Sequence, residues 1–162
     1  MFIEYDLMPS SSKIWIYQSD RSFMLEEQEV MSIKLSNFID TWQRHGEDLK
    51  ASYKIAYNQF IILLVDESFN AISGCSIDAS VNLMKQIEKE FNIDLTNKLN
   101  ISFKVGEHIN IVKLPDFQKF AKDQKVTSDT IVFNNMVATK AEFEQIWEVK
   151  AKNSWHKRFV SI

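Results

Sequence analysis

The chain has 162 residues, 45% of them hydrophobic and 25% charged, with a net charge of −3 at pH 7, proportions that argue against a protein wrapping nucleic acid or lying on an anionic membrane. One cysteine excludes an internal disulfide, and three histidines beside it make a poor zinc inventory. The longest apolar run, residues 60–65, is far short of the roughly 20 residues a helical membrane span needs, and the acidic first residues lack a signal-peptide core, so a cytoplasmic location without a membrane partner is expected.

No repeat or Pro/Gly/Ser-rich linker interrupts the sequence. Residues 1–12 are therefore expected as a loose lead-in and 13–162 as one domain. Ile14 to Tyr17, β-branched and aromatic, predicts a strand. Leu35, Phe38, Ile39 and Trp42 fall at helical spacing, with His45-Gly46 as the stop. Residues 53–65 are strand material, and the wholly apolar second half predicts a central strand. Ile77, Val81, Met84, Ile87 and Phe91 mark one face of a helix.

Residues 101–105 and 109–114 then predict two strands across a turn at Gly106-Glu107. Pro115 opens a short helix carrying Phe117 and Phe120, and residues 130–133 form a further strand. Thr139-Lys140-Ala141-Glu142 matches a capping box, opening a helix with Phe143, Ile146 and Trp147 inward. Helices alternating with strands that include a hairpin predict an α+β fold: one domain with a mixed, largely antiparallel sheet and helices packed on it.

The stretch Ser73-Gly74-Cys75-Ser76-Ile77-Asp78 joins the central strand's exit loop to a helix. It holds the only cysteine and one of three glycines. Gly46 and Gly106 have turn or cap duties, whereas Gly74 has none, and Ser76 or Asp78 is expected to cap the helix. In mixed sheets, ligands collect where strand ends face helix starts, which would gather Asp66, Glu67, Ser73, Gly74, Ser76 and Asp78. Cys75 could serve as a nucleophile whose pKa the helix end lowers, with His45, His108 or His156 as base. Against that, free cysteine is among the most buried residue types, and Asp66 and Asp78 would oppose a thiolate.

Ile61 to Glu67 looks like the acidic strand end that orders magnesium in an ATPase, but the phosphate loop that must accompany it is absent: no glycine precedes a lysine. No cofactor or metal site is implied. Trp42-Gln43-Arg44-His45 and Ser154-Trp155-His156-Lys157-Arg158 pair an aromatic with positive charge, a pattern that can contact phosphate or a base. Core packing for Trp42 and solvation for the tail lysines are the ordinary alternatives. Arg21 is a further anion contact or else a surface salt bridge.

These segments resemble a bacterial family of similar length commonly labelled "ABC transporter ATPase". The resemblance lies in Lys13 to Arg21, Trp42 to Ala51, Gln59 to Ser80 with its Ser-Gly-Cys-Ser-Ile-Asp, Thr139 to Glu142, and Ser154 to Phe159. It implies no established fold, substrate or catalytic residue, and its label conflicts with the missing phosphate loop. The sequence predicts a non-catalytic binding or auxiliary module with its site near residues 73–78. Its partner would be a small molecule, nucleic acid or protein, and the chain a monomer or homodimer. A thiol enzyme using Cys75 is the alternative, and a metal- or nucleotide-dependent hydrolase using Asp66 and Glu67 ranks third.

Overall fold

A computed structural model describes residues 1–160 and gives an α+β fold. The chain divides into two compact units: residues 1–96 with 138–141, and residues 97–137 with the segment from Glu142 onward.

The first unit is built on β1 (Lys13–Gln18), β4 (Ala51–Ala56) and β5 (Phe60–Val65), with β2 (Gln43–Arg44) and β3 (Glu47–Asp48) as a separate small hairpin. β5 is central, antiparallel to β1 on one side and β4 on the other. All six of its side chains are fully buried, which is what an unbroken Phe-Ile-Ile-Leu-Leu-Val run requires. Helices α1 (Leu25–Asp40) and α2 (Gly74–Phe91) supply Met31, Leu35, Ile39, Met84 and Ile87 to the core shared with Ile61, Leu63 and Val65.

Four expectations need correction in this unit. The 53–65 segment is a hairpin, because Tyr57 and Asn58 take positive φ (53° and 54°) and reverse the chain. His45-Gly46 turns the β2–β3 hairpin with φ of 49° and 83°, while α1 has already ended at Asp40. Two consecutive positive φ values define the two-residue turn that matches strand twist. On α2 the innermost positions are Ser76, Ser80, Met84 and Ile87, whereas Ile77 and Val81 are half-buried. The lead-in is anchored: Phe2 bridges Ala51 in parallel and packs on Tyr53, Met8 is buried, and the Lys140 ammonium donates to the Tyr5 and Met8 carbonyls.

The second unit carries β6 (Asn100–Val105), β7 (His108–Lys113), β8 (Ile131–Phe133) and β9 (Glu148–Lys150) in the order β7-β6-β8-β9, every pair antiparallel. Helix α3 (Leu114–Lys122) has Pro115 in its first turn and buries Phe117 against Phe103, His156 and Phe159. Gly106 takes φ of 61° in the β6–β7 turn, as expected. Helix α4 (Lys140–Ile146) starts directly after Thr139. Phe143 and Trp147 are buried near its end, but Ile146 is 42% exposed, a correction to the inward stripe. β9 and the 3-10 turns at Ala151–Asn153 and Trp155–Phe159 are too short to leave a periodic signal.

Candidate functional site

Helix α2 begins one residue after Ser73, and Ser73 is its cap, in place of Ser76 or Asp78: the Ser73 hydroxyl oxygen accepts the Ser76 amide at 3.2 Å. The Ser76 hydroxyl donates to the Gln43 carbonyl at 2.8 Å, so the 2.8 Å contact between the two hydroxyls must use the Ser73 proton. The buried Trp42 indole donates to the Ser76 carbonyl at 2.9 Å. Two bonds therefore strap the first turn of α2 to the chain at residues 42 and 43. Ser73→Ala is expected to cost about 1 kcal/mol of first-unit stability, read as a lower urea midpoint at unchanged slope.

The loop entering the turn is fixed in the same way. Asp66 accepts the Ser68 amide at 3.0 Å and the Ser68 hydroxyl at 2.5 Å. Glu67 accepts the Ile72 amide at 3.3 Å and sits 3.8 Å from Lys13. The Asn70 side chain donates to the carbonyls of Glu47 and Asp48. These carboxylates shape a loop, and among the described residues no group of three or more His, Cys, Asp or Glu is placed to hold a metal ion.

At the head of α2, Gly74, Cys75 and Asp78 are exposed. The amides of the first helical residues have no partner within the helix, and Ser73 serves only that of Ser76, so those of Gly74 and Cys75 are left without a partner among the described residues at this exposed turn. Gly74 is not a backbone necessity. Its φ is not positive, and a Cβ added there would meet nothing within 4 Å. No hydrogen bond joins Cys75 to an imidazole among the described residues.

The other predicted residues have separate fates. His45 is exposed at the β2–β3 turn. Trp42 packs edge-on to Trp15 and against Phe38, as a core residue. Arg21 lies at the far end of α2, where it donates to the Phe91 carbonyl at 2.7 Å, so about 25 Å of helix separates it from Gly74. It also forms a two-pronged pair with Glu27, both contacts at 2.8 Å, so the salt bridge, rather than an anion, occupies it.

His108, His156, Trp155 and Arg158 belong to the second unit. His108 is exposed at the start of β7. His156 is 1% exposed, with Nδ1 2.7 Å from the Ser154 hydroxyl, and burial pushes its pKa down to about 4. Trp155 stacks on His156 at 3.8 Å, and the Arg158 guanidinium lies over Phe159 at 5.1 Å. Lys150 and Lys152 both pair with Asp129, at 3.6 and 3.2 Å. The tail's aromatic and most of its charge are thereby engaged within their own unit.

Arg44 gains weight from the structure. It follows Gln43, the residue to which Ser76 is strapped, and its Nε is shielded from solvent without an acceptor. It stands in the Trp42-Gln43-Arg44-His45 motif, but only the fold joins that motif to the start of α2. No family model, curated protein or solved structure matches the chain, so the site is read from its own residues. Among the described residues no helix is long and apolar enough to cross a membrane.

Proposed function

We propose that the protein is a non-catalytic binding module whose first unit receives an acceptor group of its ligand, a carboxylate or a phosphate, on the amides of Gly74 and Cys75. The observation that carries this reading is Gly74. Glycine costs roughly 0.5–1 kcal/mol relative to alanine inside a helix and less at its first position, and here neither dihedral nor packing calls for one. What glycine provides at an exposed helix start is uncovered backbone that an oxygen can approach to hydrogen-bonding distance, aided by the helix dipole.

Arg44, half-buried with its Nε lacking an acceptor, carries a positive charge next in sequence to Gln43, which is strapped to Ser76. The first unit holds 15 acidic and nine basic side chains. That surplus disfavours a polyanion such as nucleic acid and selects a ligand with one acceptor group. A single exposed thiol suits a reducing, cytoplasmic compartment. The thiol-enzyme reading has an accessible sulfur but no hydrogen-bonded base. The hydrolase reading, which the family resemblance would favour, has its two carboxylates engaged with loop amides.

Gly74→Ala tests the proposal. The variant is expected to gain about 0.5 kcal/mol in denaturant unfolding while binding acetate and inorganic phosphate more weakly in calorimetric titration. A more stable variant with undiminished binding of both probes would contradict it.

A further inference from the structure

We propose that β7 is an interface, and that its occupant is β7 of a second copy of this chain, paired antiparallel with Asn110 on the two-fold axis. β7 is the edge of its sheet and pairs with β6 alone. The two-residue turn at Gly106-Glu107 closes on Val105 and His108, a pair that exchanges its hydrogen bonds across the hairpin. Bonding then alternates, so His108, Asn110 and Val112 direct their backbone groups at β6. The Leu114 amide bonding to the Leu99 carbonyl at 3.1 Å continues that phase. The backbone groups of Ile109, Ile111 and Lys113 consequently face outward. Among the described residues, no backbone bond outside the hairpin takes the amides of Ile109 and Ile111.

This edge lacks the devices that usually block strand addition. Its centre, Ile109-Asn110-Ile111-Val112, contains no charge, proline or bulge, and the one lysine stands at the end. The phase restricts how two copies can pair, because only outward-facing residues can exchange bonds. Odd positions must therefore oppose odd positions. Of those registers, the one centred on Asn110 sets Ile109 opposite Ile111 of the second copy, twice by symmetry. It also brings Glu107, the turn residue that precedes β7, alongside Lys113, again twice. Glu107 and Lys113 are exposed and have no ion pair among the described residues. Moving the centre by one allowed step, to Ile109 or Ile111, loses both opposite-charge pairs. A two-fold interface must be self-complementary, and in this register apolar side chains meet apolar ones and acid meets base along one face of the joined sheet.

The pairing makes two checkable demands of the full-length chain. Lys113→Glu would oppose two carboxylate pairs and is expected to raise the dimer dissociation constant roughly tenfold in sedimentation. Glu107→Lys combined with Lys113→Glu should restore it. Asn110 would occupy a non-hydrogen-bonded pair on the axis, where Cα atoms lie about 4.5 Å apart, within disulfide reach. With Cys75→Ser to remove the other thiol, Asn110→Cys should form an intermolecular disulfide on mild oxidation, and Ile109→Cys should not. A chain that remains monomeric at 200 μM would overturn the proposal. So would a dimer that is indifferent to the charge swap or that fails to cross-link at position 110.

Discussion

Arg21→Ala should destabilise the first unit by about 3 kcal/mol, with a smaller loss for Glu27→Gln, which leaves no buried charge unpaired. Glu27 is 6% exposed at the first turn of α1, and its carboxylate accepts the Met24 amide at 2.8 Å as well as both prongs of Arg21. Removing the arginine leaves a buried carboxylate without its counter-charge and also frees the Phe91 carbonyl at the end of α2. Breaking such a pair costs about 3–5 kcal/mol when both partners are buried, and the exposure of the Arg21 side chain, 40%, places the value at the lower end. The Arg21 hydrogen bonds, against the opposing effect of burial, hold the Glu27 carboxyl down to about 2. Because the folded value lies below the ordinary 4.5, the pair's stabilisation is complete above about pH 4.5 and is lost as the pH falls toward 2. Screening at Arg21 reduces the amount to about 2 kcal/mol. Amide exchange in α1 and α2 reads it: the wild type should lose protection as the pH falls from about 4.5 toward 2, and the variant should start lower and change less. Equal protection in both proteins would contradict the assignment.

The second unit should be acid-sensitive in a higher window. His156 is buried against Phe117 and stacked under Trp155, and burial lowers its pKa from 6.5 to about 4. The unfolded chain therefore takes up a proton between pH 6.5 and 4 that the folded unit refuses. Stability is full above pH 6.5 and falls through this interval by about 3 kcal/mol in total. The Ser154 hydroxyl, which donates to the Ala151 carbonyl at 3.3 Å, lies 2.7 Å from Nδ1 of this ring. Urea midpoints followed through β6 and β8 amides should drop across pH 6.5–4 in the wild type. His156→Leu should flatten that slope. A midpoint equally sensitive to pH in the variant would locate the acid response elsewhere.

Much of the fold was legible because its signals were strong. The Phe60 to Val65 run is apolar on both faces and became the central strand with every side chain buried. Gly106 marked the β6–β7 turn, and Phe117 marked the inward face of α3. What escaped detection depended on the fold. Tyr57 and Asn58 turn a hairpin with positive φ at residues that carry no glycine signal. Ser76 and Ser80 are buried because their hydroxyls are satisfied, Ser80 locally at the Ile77 carbonyl and Ser76 across the fold at the Gln43 carbonyl, and hydropathy does not register such partners.

The site was legible in part. Gly74 stands out by scarcity and by lacking the turn or cap duty of Gly46 and Gly106, and the geometry agrees. Open space and an ordinary dihedral leave the glycine without a structural duty. Cys75 is exposed rather than packed, and Ser73 rather than a later residue closes the helix. The strap from residues 42 and 43 to Ser76 spans 33 and 34 positions in sequence, a long-range pairing that no local pattern encodes.

The most direct measurement for the binding reading is a residue-resolved amide NMR titration of the full chain with inorganic phosphate and with acetate at constant ionic strength. The largest saturable shifts are expected at Gly74 and Cys75, with smaller ones at Arg44, and they should collapse in Arg44→Ala while the spectrum of β5 stays in place. Shifts centred on Lys150 to Arg158, or none that saturate at the head of α2, would contradict the assignment.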